Sequence, residues 1–234
     1  MPSPKWIFDD NVFRSYLRAR RVPGVAIVVL GMAVVSVIFG TWPSRFPTLS
    51  SNPAAQVPFW RMLVLVLAVL PVIALNSSLA DLEAVATRAF RTRQCRYLLV
   101  GSIASITSYL TICATALPFT VIAIMLRGWL GWLGLALVSG ALLGWRLAWI
   151  IPVFVGTSFW YWGFDSSSQR YHRWEFSAQP PSDLLSILLV VMLLMVGIAA
   201  YAATPWRRRA FLPYRSAFAG RMRPWQSVDV SRKP

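Results

Sequence analysis

Six stretches of 18 residues or more carry no charged side chain, and their lengths constrain the fold more than any other feature. Val22–Ser44 gives 23 residues, Met62–Ala80 gives 19, Tyr97–Leu126 gives 30, Gly128–Trp145 and Leu147–Phe164 give 18 each, and Leu184–Trp206 gives 23. A helix needs roughly 20 apolar residues to cross a hydrocarbon core about 30 Å thick. Backbone groups in lipid must be satisfied within the segment, so the expected form of each run is an α-helix. Only 13% of the 234 residues are charged and 57% are hydrophobic, against about 25% charged in a soluble domain. The sequence therefore predicts an all-α polytopic membrane protein with about six transmembrane helices, in the cell (cytoplasmic) membrane.

The net charge of +15 invites a nucleic-acid partner, but its distribution argues for topology. Of 23 Lys and Arg, five lie in residues 1–21, four in Arg88–Arg96 and eight after Trp206. These segments alternate with pairs of apolar runs, as the positive-inside rule requires of cytoplasmic regions. The reading places both termini inside and expects anionic lipids, not nucleic acid, as the acidic partner. It divides the chain into an N-terminal interfacial helix (1–21), a six-helix domain (22–204) and a basic tail (205–234). In the N-terminal helix, Val12, Phe13, Tyr16 and Leu17 share one face at the membrane interface. An outer loop (164–182) precedes the last span, and Trp206, Arg207, Arg208 and Arg209 open the tail at the opposite interface. Cys95 is expected at the cytoplasmic end and Cys113 in mid-membrane, too far apart to pair.

Between the second and third runs lies a segment of different character. Leu82, Val85, Ala86, Ala89 and Phe90 fall on one helical face. Asp81 and Glu83 occupy the first turn and Arg88, Arg91, Arg93 and Arg96 the last, as the helix dipole favours. Ser78 stands three residues before Asp81, in the spacing of a capping pair. Residues 81–96 are expected to form an amphipathic helix on the cytoplasmic surface. Arg61, near the outer end of the second run, is expected to snorkel. The third run is expected to kink near Pro118 or to end in a re-entrant piece before Arg127. Gly128–Phe164 is either one helix broken at Pro152 or two spans turning around Arg146, and charge bias favours the pair.

Catalytic chemistry is hard to place. His172 is the one histidine, so it belongs to no metal cluster and pairs with no intramembrane nucleophile. No GxxxxGK[ST] phosphate loop occurs. No Asp or Glu falls between Asn11 and Ala80, between Ala84 and Phe164, or between Leu184 and Val228, although coupled carriers need ionisable groups inside the membrane. The expectation is no intrinsic catalytic, cofactor or metal site, with any energy supplied by a partner.

A basic interfacial helix, six spans, internal termini and the amphipathic segment Asp81–Arg96 together resemble the permease subunit of a six-helix ABC exporter. The Ala- and Arg-rich usage is similar to that of actinobacterial members. The resemblance is architectural and covers most of the chain. It implies that the segment is a coupling helix docking on a separate cytoplasmic ATPase subunit, with Asp81, Glu83, Thr87, Arg88 and Arg91 as contacts. It also implies a second permease subunit, as a homo- or heterodimer, and an amphipathic or lipid-like substrate. A non-catalytic scaffold or assembly subunit of a larger membrane complex accounts for the same residues and stays open.

The topology is directly testable. Impermeant thiol reagents applied to intact cells should leave Cys95 unlabelled and should label a Ser50→Cys variant, while a C-terminal reporter stays inside. A reporter found outside would make Gly128–Phe164 a single helix.

Overall fold

The computed structural model describes residues 22–46, 55–76, 88–165 and 170–219. Phe13 and Tyr16, the loop around Ser50, Asp81, Glu83 and Thr87, and the tail beyond residue 219 lie outside the described residues. Within them are six α-helices: α1 (Val22–Phe39), α2 (Phe59–Ile73), α3 (Arg88–Cys113), α4 (Phe119–Leu143), α5 (Ile150–Trp162) and α6 (Leu184–Ala219). Two short antiparallel ribbons complete the set. β1 (Pro43–Phe46) pairs with β2 (Ala55–Pro58), and β3 (Phe164–Asp165) pairs with β4 (Arg170–Tyr171).

Three helices are long and apolar enough to cross a membrane: Gln94–Cys113 within α3, Phe119–Leu143, and Leu184–Ala203 within α6. The apolar parts of α1 and α2, Gly24–Phe39 and Phe59–Ile73, are shorter. At 1.5 Å per residue, α5 with its 13 residues is about 20 Å long.

Side-chain contacts fix the helix directions. Gly128 lies beside Val64 and Gly140 beside Val72, so α2 and α4 run the same way. Gly134 meets Leu193 and Gly197, and Trp145 meets Tyr201, so α6 runs with them. α1 enters the first ribbon, from which α2 returns, with Trp60 N–H donating to Gly40 O over 3.2 Å. The Tyr109 hydroxyl at the end of α3 donates to Ser36 Oγ at 2.9 Å, while Cys95 near its start donates to Tyr201 Oη at 3.6 Å. Hence α1, α3 and α5 run toward one end of the bundle, and α2, α4 and α6 run away from it.

α4 is the central helix, packed chiefly against α6 and α2. Its contact with α6 is backbone on backbone. A Cβ added to Gly134 would lie 2.5 Å from Leu193 O, and one added to Gly197 would lie 2.5 Å from Gly134 O. Small residues at both positions permit this approach, the usual device between membrane helices.

Several boundaries differ from the sequence expectation. α3 begins at Arg88 and continues unbroken to Cys113, so the second half of segment 81–96 is one rod with the span that follows. No proline interrupts Arg88–Cys113, and continuing a helix costs less than ending and renucleating it. Pro118, in extended conformation (ψ 151°), separates α3 from α4. The new helix takes in Arg127 instead of stopping before it. Cys113 is buried at the end of α3, near Tyr109 and Ser36, not midway along it. α6 carries its helix through Trp206–Arg209 to Ala219, so the first half of the predicted tail is helical.

Of the two alternatives for Gly128–Phe164, the chain turns around Arg146. Gly144, at φ +98°, takes the left-handed conformation that favours glycine. A short 3₁₀ turn (Trp145–Leu147) follows, and Pro152 sits harmlessly in the first turn of α5. Ser139 Oγ donates to Leu147 O at 2.9 Å and accepts from Ile151 N–H at 3.4 Å. One hydroxyl thus satisfies backbone groups that the helix break exposes.

Gly134→Leu and Gly197→Leu should each abolish the monodisperse folded peak in detergent size exclusion. Their side chains would meet backbone, beyond the roughly 1–3 kcal/mol of ordinary overpacking. Gly24→Leu and Gly31→Leu, whose Cβ positions meet nothing within 4 Å, should leave the peak unchanged.

Candidate functional site

The densest polar arrangement lies at the end of the bundle where α5 gives way to α6. In the connection between α5 and α6, residues 170–183 fold back over the helix ends as a cap. Its sequence explains why it goes inward: Trp174 and Phe176 flank Glu175, and Phe176 is buried. Phe176 stacks obliquely on Trp132 of α4 (centroids 5.0 Å) and edge-on to Phe159 of α5 (5.4 Å). Trp174 covers the other side of Phe159 at 5.1 Å, and His172 stacks on Trp174 at 5.7 Å with the planes 11° apart. Aromatic pairs at such distances contribute about 0.5–1.5 kcal/mol each beyond their burial.

Seating the aromatics carries Glu175 into the interior, where it is fully buried. Arg61, in the first turn of α2 and 4% exposed, donates to Glu175 Oε1 in an ion pair. The same Nη2 reaches Ser177 Oγ at 2.7 Å, and the guanidinium lies over the Tyr171 ring, 5.2 Å from its centroid. Gly163 gives the carboxylate room, because a Cβ there would collide with Oε2. Oε2 itself and Arg61 Nε are buried without a hydrogen-bond partner among the described residues. Burial pushes the Glu175 carboxyl from its ordinary 4.5 up to about 7, with Arg61 pulling the other way. Burial also pushes the Tyr171 phenol up.

A second arginine clamps the far side of the cap. Arg127, buried in α4, donates from Nη1 to Pro180 O at 2.7 Å and from Nη2 to Gln179 O. Gln179 Nε2 in turn donates to His172 O at 2.8 Å and Tyr171 O at 3.1 Å, holding the second ribbon to the cap's end. Asp183 caps α6 by accepting from Ser186 N–H at 3.1 Å and from its hydroxyl, bonds that hold its carboxyl below the usual range.

Arg61 therefore does not snorkel: a counter-charge has been brought to it. The interval free of carboxylates in the sequence hid this, because the acid comes from a loop 114 residues away. The legible signal was an acid set between Trp174 and Phe176 and a lone arginine opening an apolar run. The residues singled out for partner coupling lie elsewhere. Arg88 and Arg91 stand in the first turn of α3, and Trp206, Arg207, Arg208 and Arg209 on the continuation of α6. Both sets fall at the end opposite the cap, the end marked by Cys95 and Tyr201. No family model, curated protein or solved structure matches the chain.

Chemically, the site is a clamp. Removing one partner of a buried ion pair costs about 3–5 kcal/mol when the other charge stays. The two deletions should differ, because a guanidinium keeps its proton whereas a carboxyl neutralises. Glu175→Leu should lower the thermal midpoint in detergent more than Arg61→Met does. The double variant should recover most of the Glu175→Leu loss. Equal losses in the two single variants would refute the asymmetry.

Proposed function

We propose that the chain is the membrane permease subunit of an ABC-type exporter, moving an amphipathic or lipid-like substrate with ATP hydrolysed by a separate cytoplasmic subunit. The observation that carries this reading is the continuity of α3. Arg88 and Arg91, proposed as contacts for the ATPase, stand on the same uninterrupted helix as Tyr109, which is bonded to Ser36 at the cap end. A push on residues 88–96 would travel along that rod into the bundle. In this reading the six helices form the membrane domain, with α5 as a short, incompletely crossing helix, both termini and Cys95 facing the cytoplasm, and the cap facing outward. The cationic continuation of α6 lies against anionic lipid. A second permease subunit completes the transporter.

The outward face of α3 suits an amphipathic substrate. Leu99, Val100 and Ile103 are exposed along it, followed by exposed Thr107, Ser108, Thr111 and Thr115. Ser108 and Thr115 turn their hydroxyls onto Ala104 O and Ile112 O, which lowers the cost of meeting lipid.

The scaffold reading has its own support. The buried cations Arg61 and Arg127 are spent on holding the cap, and Ser36 and Ser139 on joining helices and closing a turn.

Charge reversal separates the two. Glu83→Lys and Arg88→Glu should preserve membrane levels yet lose a copurifying ATPase or its stimulation, since an opposed like charge costs several kcal/mol at an interface. Leu82→Asp and Phe90→Asp should instead reduce the amount of folded protein. Full retention of partner and transport by both reversed variants would leave the scaffold as the better account.

A further inference from the structure

The described residues divide their charges by end. Their acids, Asp165, Glu175 and Asp183, all stand at the cap end. The opposite end, where Cys95 donates to Tyr201 Oη, carries arginines and no acid among the described residues. That contact also marks a level. The apolar part of α3 begins at Gln94, beside Cys95, and that of α6 ends at Ala203, close after Tyr201. The two helices therefore pass from apolar to cationic together.

Helical register then sorts the cations. Seven residues make almost two full turns, about 10 Å of rise. Arg88 stands seven residues before Cys95 and Arg208 seven after Tyr201, on the helices Arg88–Cys113 and Leu184–Ala219. Each falls on the face of its helix that meets the other, at the same level beyond the contact. Arg91, four residues before Cys95, shares that face. Arg93 and Arg207 fall on other faces, roughly 160° and 120° around from Cys95 and Tyr201 at about 100° per residue.

Like charges held at one level across a seam repel, and an anion between them turns the repulsion into two attractions. Phosphate suits guanidinium groups best, because paired N–H donors match its oxygens. On the other side of the same level the helices are apolar and open, with Leu99 and Ile103 exposed on α3 and Ile198 on α6. A phosphate with acyl chains attached matches both halves, whereas free phosphate matches one. We propose that the seam between the start of α3 and the continuation of α6 holds the phosphate of one anionic phospholipid. Arg88, Arg91 and Arg208 grip it, and its chains lie on the apolar faces beside Leu99 and Ile198. General attraction to an anionic leaflet enlists every arginine alike, but the seam enlists these three. The inference needs α3 and α6 to span a membrane, and needs neither transport nor an ATPase.

The test is native mass spectrometry of the intact, purified and delipidated chain, given phosphatidylglycerol or phosphatidylcholine in detergent. One phosphatidylglycerol should stay bound under activation that strips phosphatidylcholine. Arg88→Gln and Arg208→Gln should each weaken that binding about fivefold, the worth of one cation at an anionic headgroup. Arg93→Gln and Arg207→Gln, which remove the same charge from other faces, should leave it unchanged. The comparison of the two lipids on the native chain does not depend on any variant folding. Equal retention of both lipids, equal loss in all four variants, or displacement of the lipid by millimolar inorganic phosphate at constant ionic strength would each overturn the proposal. So would an Arg208→Gln variant that lost an acidic protein partner in membrane pull-downs while its lipid retention stayed unchanged. With no second protein in the sample, a failure of the lipid comparison leaves the exporter reading as it stands.

Discussion

A guanidinium in an apolar interior must find acceptors for its charge and its N–H groups, and for Arg61 that requirement decides which loop covers which helix. Arg61 opens α2 at the cap end, and Glu175 reaches it because residues 170–183 fold over the helix ends. A buried ion pair contributes little net stability, because desolvating both charges offsets their attraction. Its value here lies in selection. Rings such as Trp132, Phe159 and Phe176 would pack acceptably in several arrangements, but only one puts the carboxylate on Arg61 with Gly163 beneath it.

The remainder of the bundle divides by the closeness of its contacts. α4 and α6 touch through backbone at Gly134 and Gly197 and leave no room to slide. α1 and α3 meet through side chains, with the Tyr109–Ser36 hydrogen bond near their ends. α1 and α3 thus form one group, and α2, α4 and α6 another. The first group also holds the helix whose start carries Arg88 and Arg91.

Much of this architecture was legible in the sequence, because charge-free runs are a local property. Helix class, the alternation of directions and the turn around Arg146 all follow from runs, breakers and charge. What escaped depends on distance in the chain. Nothing near Arg61 announces Glu175, and nothing near Arg127 announces that its partners are the carbonyls of Gln179 and Pro180. Boundaries escaped for another reason. Arg91, Arg93 and Arg96 mark where polarity changes, but a helix has no obligation to stop there, and α3 does not. The candidate site was therefore visible as ingredients and not as a place.

The 114 residues between Arg61 and Glu175 also order events in time. At ribosomal speeds of roughly 5–20 residues per second, α2 exists for on the order of ten seconds before its counter-ion is made. Throughout that interval Arg61 must reach toward the interface for water, the posture its sequence context suggests, and the clamp forms only as the last helix follows. The ion pair is thus a signature of completed synthesis: a chain truncated before the cap would leave an uncompensated cation in its second helix, the kind of feature by which membrane quality control can recognise an unfinished protein.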